Sequence, residues 1–264
     1  MVNYNSENDT LRYLKTIKES YKRTTHCSLD IIIVDNSTIK LSKLKDKISG
    51  LNLDVTVIDA ENVGYFGAFK LALETIGYER VILYDHVIIS NVDLELSSDF
   101  FGTLQTITPH SGVGVFAPSI FSKHRKTCLN PKILTKPSKY RVLFNYVMFK
   151  YPCLFKYYSR VSDIKIKLTQ LSKDRKHIYA PHGSFMIFNR IFFLKGGVIS
   201  YPVFLFGEEI YVAETVKSLN LKIEYIPSLK IYDWEHASTS KEKISFISQE
   251  HRKALKYILT NYYS

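Results

Sequence analysis

The spacing of apolar positions along the chain changes several times, and each change predicts an element. In residues 8–22, Leu11, Leu14, Ile17 and Lys18 fall at helical spacing. LDIIIVDNS (29–37) is then a continuous apolar run that ends in polar residues, the pattern of a parallel strand buried on both faces. LDVTVID (53–59) repeats it. Helical spacing returns over 64–77 through Phe69, Leu71 and Leu73, with Gly77 as a stop. HVIISNVD (86–93) is a third buried strand. GVGVFAPSIF (112–121) and HIYAPHGSFMIFNR (177–190) read as later strands. Residues 208–219 read as a helix, LKIEY (221–225) and LKIYDW (229–234) as two short strands, and 241–261 as a terminal helix.

Alternating buried strands and helices predict an α/β fold with a mainly parallel sheet flanked by helices. Ligands of such sheets bind beyond the carboxyl ends of the strands. Three predicted strands end there in an aspartate: Asp35, Asp59 and Asp93.

Composition narrows the class. The 264 residues are 45% hydrophobic and 23% charged, which suits a single globular domain. The N-terminus, polar from its third residue, reads as lacking a signal peptide, and three scattered cysteines (Cys27, Cys128, Cys153) suit a reducing cytoplasm better than a disulfide frame or a zinc site.

Charge singles out one stretch. The net charge is +11, yet 12 Lys/Arg and only 2 Asp/Glu lie between Lys132 and Lys176, leaving 24 basic and 23 acidic residues elsewhere. The same stretch carries eight aromatics. Within it, Leu154, Tyr158, Val161, Ile164, Leu168 and Leu171 form a helical stripe opposite Lys156, Arg160 and Lys167. VLFNYVMFKYPCLF (142–155) is apolar but broken by Asn145, Lys150 and Pro152, too short to span a bilayer. A basic amphipathic segment with aromatic anchors reads as an element for an anionic membrane surface; the plainer reading is a lid with solvated lysines. Basic charge with interleaved rings also suits a single-strand nucleic-acid binder, but nothing else in the chain looks like such a module, and no nucleic acid is expected as a partner.

Seven segments together resemble one family. VNYNS (2–6), IIIVDNST (31–38), ENVGYFGAF (61–69), ISNVDLE (89–95), APHGSFMIFNR (180–190), FLFGEEIYVAE (ending at Glu214) and IYDWEHAST (231–239) are similar, in order, to the motifs of family 2 glycosyltransferases with the GT-A fold, in a rhamnosyltransferase-like branch. The chain begins at the last residues of that family's first strand. It also departs from the family at Val92, where a proline is usual, at Glu208-Glu209, where Glu-Asp is usual, and at Tyr211, where an acid is usual.

The resemblance assigns roles. Asn5, Asp35, Asn36, Asn62, Gly64 and Asn91 would contact the nucleotide, with Asp35 accepting a base imide N–H. Without the resemblance, Asp35, Asn36 and Ser37 suit a helix cap equally, and Gly64 an ordinary turn. Asp93 and His236 would hold a divalent metal, Mn²⁺ or Mg²⁺, against the diphosphate. Glu95 adds a D-x-E spacing to Asp93. Glu209 would be the general base with Glu208 beside it; two acids in a first helical turn are favourable there in any case. His182 and Gly183 would lie by the donor and acceptor sugars. The chain then reads as one domain: a nucleotide-binding half (1–130), a basic aromatic insertion (131–177), an acceptor and catalytic half (178–240) and a terminal helix (241–264). The function implied is inverting transfer from a UDP- or dTDP-sugar to a saccharide acceptor, lipid-linked, for a bacterial surface polysaccharide. The enzyme would work peripherally on the cytoplasmic face of the membrane. An inactive scaffold of the same fold is the alternative.

Overall fold

The computed structural model describes residues 1–38, 47–151, 174–234 and 244–263. The chain opens with β1 (Val2–Asn3), α1 (Glu7–Lys22), β2 (Ile31–Asp35) and β3 (Val55–Asp59), and the three strands pair in parallel in the order β1-β2-β3. Register puts Asn3 opposite Asp35 and Asp35 opposite Asp59, so three polar strand ends share one edge. α1 carries Glu7 and Asp9 in its first turn and Lys22 in its last, charges that complement the helix dipole.

The chain continues with α2 (Tyr65–Ile76), α3 (Tyr78–Val81), β4 (His86–Ser90), β5 (Leu94–Leu96), α4 (Phe100–Thr106), β6 (Val113–Ser122) and β7 (Thr127–Cys128). After α5 (Lys139–Met148) come β8 (Lys176–Ile178), β9 (Phe185–Asn189), α6 (Arg190–Leu194), α7 (Glu208–Ser218), β10 (Lys222–Asp233) and α8 (Ile244–Tyr262). The second sheet runs β4-β9-β6-β10-β5, with β7 on β6 and β8 on β10.

Period-2 alternation feeds two cores. In β9, Met186 and Phe188 join α2, α6 and α7 on one face, while Phe185 and Ile187 join α1 and α4 on the other. β2 divides in the same way, Val34 to the first core and Ile31 and Ile33 to the second. Helices therefore cover both faces of both sheets, and each fully buried ring, such as Phe66, Phe100 or Phe185, contributes roughly 2–3 kcal/mol by burial.

Three sequence expectations need revision. The parallel arrangement holds for the first sheet and for β6 with β10, but β4–β9, β6–β9, β6–β7, β5–β10 and β8–β10 are antiparallel. Continuous apolar runs report burial on both faces, and helices supply that burial whichever way the strands run. The strand expected over 177–190 is two strands, because Pro181, which has no N–H, and the turn through Gly183 break the ladder between β8 and β9. The two strands expected over 221–234 are one, β10, whose register against β6 shifts between Ile226 and Lys230, around Pro227. The broken apolar run after Val142 lies partly in α5, while the stripe over 154–171 lies outside the described residues.

Candidate active site

The strand ends carry a polar cradle. Asn3, Asp35, Asn36 and Ser37 are all buried. Asn3 Nδ2 donates to Asp35 Oδ1 (2.8 Å) and to Ser37 Oγ (3.0 Å). Asn3 Oδ1 accepts from the Ser6 backbone N–H (3.2 Å) and the Thr10 hydroxyl (3.0 Å). The Ser37 N–H donates to Asp35 Oδ1 (3.1 Å) and the Asn5 N–H to Ser37 Oγ (2.8 Å). Asn5 itself is exposed, with a left-handed φ of 51°. Asn3 is thus the hub of the cradle, although the sequence reading singled out Asn5 in the same motif.

Asn36 connects this cradle to α2. Its Nδ2 donates to the Gly64 carbonyl (3.1 Å) and reaches Asn62 Oδ1 (3.4 Å), while Asn62 Oδ1 accepts the Gly64 N–H (3.2 Å). The buried Asn36 Oδ1 has no hydrogen-bond partner among the described residues, an acceptor available to a ligand N–H. Gly64 has φ of +80°, and a Cβ there would lie 2.4 Å from the Phe204 carbonyl oxygen. What requires glycine is therefore the loop around Phe204, whose carbonyl accepts the Tyr65 N–H at the start of α2 (3.2 Å).

The acids converge on Tyr65. Its phenol is pushed well above its ordinary pKa by burial first, then by the negative charges of Glu208, Asp93 and Glu209. The Tyr65 hydroxyl donates to the Gly183 carbonyl (2.8 Å). A Cβ on Gly183 would lie 3.2 Å from Glu209 Oε1. One ring and one glycine thus join α2, the β8–β9 turn and α7, and neither composition nor spacing marks Tyr65 in advance.

α7 begins where the backbone permits. Phe206 and Gly207 are both left-handed (φ 69° and 82°), and a Cβ on Gly207 would sit 2.6 Å from the Tyr201 hydroxyl. That hydroxyl donates to the Phe206 carbonyl (2.8 Å). Glu208 and Glu209 follow in the first turn, where the helix dipole favours negative charge. Glu208 is buried, and burial followed by the charge of Glu209 raises its carboxyl to about 8. Tyr211 is structural: its hydroxyl accepts the Ser200 N–H (2.9 Å), donates to the Val198 carbonyl (3.1 Å), and its ring packs on Tyr201.

His182 sits on the turn between β8 and β9. Its backbone N–H donates to Asn130 Oδ1 (2.7 Å), and its Nδ1 lies 2.8 Å from Ser184 Oγ and 3.2 Å from the Ser184 backbone nitrogen. Burial, then Lys132 and Arg125, holds its pKa well below the ordinary value. Asn91 donates its N–H to the Ser184 carbonyl (2.9 Å) from the other side, so Asn130 and Ser184, both missed in the sequence, fix this turn.

Asp93 is buried in the turn before β5, its carbonyl accepting the Trp234 N–H (3.2 Å). Glu95 is taken up by Lys123 (2.7 Å) and Arg12 (3.5 Å), which also stack on Trp234, so the D-x-E spacing does not make a second ligand. His236 lies outside the described residues. Among the described residues no group of three or more His, Cys, Asp or Glu is placed to hold a metal ion. One or two carboxylates with phosphate oxygens suffice for Mg²⁺, so buried Asp93 fits a metal brought with a diphosphate better than a resident one. A cavity of about 920 Å³ lies elsewhere: Leu29, Arg80, His86, Gln105, Val113 and Arg190 line it at the opposite end of the strands, and no predicted site residue does.

No protein-family model and no curated protein sequence matches the chain. Solved structures do. It is similar to GalNAc-T7 in a crystal structure with UDP, GalNAc and Mn²⁺ (TM-score 0.51, 12% identity, 87% of this chain and 41% of that one). It is similar to S. aureus TarS (TM-score 0.57, 11% identity, 98% and 43%) and to TarS residues 1–349 (0.55, 11%, 99% and 71%). The chain therefore spans less than half the length of the first two. At these identities the likeness is one of fold, and the fold is the α/β GT-A fold of glycosyltransferases, a sheet flanked by helices.

Proposed function

We propose that this protein is an inverting glycosyltransferase that uses a UDP- or dTDP-sugar. The observation that carries this reading is the junction of Tyr65, Gly183 and Glu209, on which the charges of Glu208 and Asp93 also act, beside a polar cradle at the strand ends. In this reading Asp35 and Asn36 receive the base, with Asn5, Asn62, Gly64 and Asn91 around the rest of the nucleotide. Glu209 takes the proton of an acceptor hydroxyl as its oxygen attacks the anomeric carbon, and the sugar–phosphate bond breaks to release the nucleoside diphosphate. Glu208, holding its own proton near neutral pH, keeps a second negative charge from that spot. His182, held neutral by burial, and Gly183 face the sugars. Asp93 and His236 would hold the divalent metal, Mn²⁺ or Mg²⁺, which would neutralise charge developing on the diphosphate.

The acceptor is a saccharide on a lipid carrier, the product a surface polysaccharide such as capsule or O-antigen, and the place of work the cytoplasmic face of the membrane. The rhamnosyltransferase-like branch of family 2 is the specific assignment. Among the described residues no helix is long and apolar enough to cross a membrane, which is compatible with a peripheral enzyme.

Calorimetry with UDP and dTDP, each with and without Mn²⁺, tests the donor half. Binding should require the metal, and Asp93→Ala should abolish the metal dependence while the circular dichroism spectrum is kept. Metal-dependent binding that persists in Asp93→Ala overturns the assignment of Asp93.

A further inference from the structure

α5 shows the solvent a face that a water-soluble helix ordinarily hides. Tyr140, Leu143, Phe144 and Val147 recur at helical spacing, and Tyr151 continues the row one turn on. All five are exposed, Tyr140 at 83% and Phe144 at 56%. The opposite face is spent on the fold: Val142 packs with Ile210 of α7 and Ile258 of α8, and the Phe149 ring stacks on His251 of α8 at 4.2 Å. The exposed row is thus no leftover of a helix turned the wrong way, because the helix already has a buried side.

Charge says what could cover the row. Lys139, Arg141 and Lys150, all exposed, flank it at roughly 80–100° to either side on a wheel of 3.6 residues per turn. From Lys132 to Tyr151 there is no Asp or Glu. A second copy of the chain on this face would oppose three cations with three identical ones. An anionic bilayer meets both features at once, with rings and aliphatic chains below the headgroups and cations at the phosphates.

We infer that α5 is an interfacial helix that lies flat on an anionic lipid surface, sinking Tyr140, Phe144 and Val147 and setting Lys139, Arg141 and Lys150 at lipid phosphates. The contact has a route to the site. His251 stacks on Phe149 on one side and on Phe206 on the other (3.7 Å), and Phe206 is two residues before Glu208. Burial lowers the His251 pKa to about 4, so the middle ring of this stack is neutral and packs as an aromatic. A helix fixed on the membrane therefore fixes the plane from which a lipid-linked acceptor reaches Glu209. The inference deepens the reading of a membrane acceptor and rests on it for its purpose, though not for the docking itself.

Co-sedimentation with phosphatidylglycerol/phosphatidylcholine vesicles tests it, with UDP–Mn²⁺ calorimetry run on every sample. Wild type should bind these vesicles, ignore pure phosphatidylcholine, and release as salt rises. Reversing Lys139, Arg141 and Lys150 to Glu should weaken binding at least about 100-fold, taking roughly fivefold per cation lost. Phe144→Asp with Val147→Asp should also abolish it, and both variants should keep the wild-type melting temperature and UDP–Mn²⁺ affinity. Phe144→Trp should shift its emission to the blue on vesicles. Wild type that ignores anionic vesicles at low salt overturns the docking, as do variants that bind like wild type. A Phe144→Asp-sensitive dimer without vesicle binding would assign the face to a second copy, and an oligonucleotide complex without vesicle binding would assign it to nucleic acid; either overturns the proposal. Lost UDP–Mn²⁺ binding with docking intact would instead count against the glycosyltransferase reading alone.

Discussion

Two polar sites, the cradle around Asp35 and the acid pair Glu208 and Glu209, are built in opposite ways. Around Asp35 the cradle is closed by its own hydrogen bonds: Asn3 alone donates twice and accepts twice, and Ser37 links Asp35 to Asn5. Around Glu208 and Glu209 the protein does the reverse. It starts a helix on two left-handed residues, buries one carboxyl beside another, and leaves Glu208 with a pKa of about 8. The first arrangement stabilises the fold and presents a finished surface. The second costs stability, which is expected where groups are arranged for proton transfer and not for rest.

This contrast is broken most directly at Glu209. Glu209→Gln keeps the shape and removes the proton acceptor, so the transfer rate should fall by about 10²–10⁴-fold with donor affinity nearly unchanged. Single-turnover kinetics on a nucleotide-sugar donor would measure it. If Glu208→Gln is the crippled enzyme and Glu209→Gln is active, the two carboxyls have exchanged roles.

The cradle should fail differently. Asn3→Ala strips Asp35 and Ser37 of a donor and the Ser6 N–H of its acceptor around a fully buried side chain, and should cost about 2–3 kcal/mol of stability. Urea unfolding would show a lower midpoint at unchanged slope. A loss below about 0.5 kcal/mol would mean that water replaces Asn3 at little cost and that the cradle is not a stability element.

How much of this was legible in the sequence follows the same division. Asp35 and Asp59 at their strand ends, the stop at Gly77 and the helical start at Glu208 followed from local signals, whereas β4 ends at Ser90 and leaves Asp93 in the turn beyond the strand expected over 86–93. The hub Asn3 and the junction Tyr65 were not legible. Asn3 matters through partners 32 and 34 positions away, and Tyr65 through a carbonyl 118 positions away, distances that no periodicity reports. Strand direction was hidden for a related reason: Phe185–Asn189 and Ile31–Asp35 are both buried on both faces, and burial carries no sign of antiparallel or parallel pairing. In the basic segment the local pattern of α5 was obscured because its two apolar faces, one buried and one exposed, merge into a single run in the sequence.

One further effect tells the two acid sites apart by pH. Glu208 has a folded pKa raised from the ordinary value of 4.5 to about 8, by burial first and by Glu209 second. Between those values the folded state holds a proton that the unfolded state has released, so stability is greatest below about pH 4.5 and is lost as pH rises through about 8. Glu208→Gln removes that titration while keeping size and a hydrogen-bonding end. The difference in stability between variant and wild type should therefore be smallest at pH 5 and should grow, in favour of the variant, by on the order of 3–4 kcal/mol by pH 8.5. Burial is the larger cause and the charge of Glu209 adds to it, while the field of the α7 N-terminus opposes both. Asn3→Ala, which removes no ionisable group, should not change the pH slope in this window. Urea unfolding of both variants at pH 5, 7 and 8.5 separates the cases, and a Glu208→Gln curve parallel to wild type would show that Glu208 ionises as an ordinary surface carboxylate does.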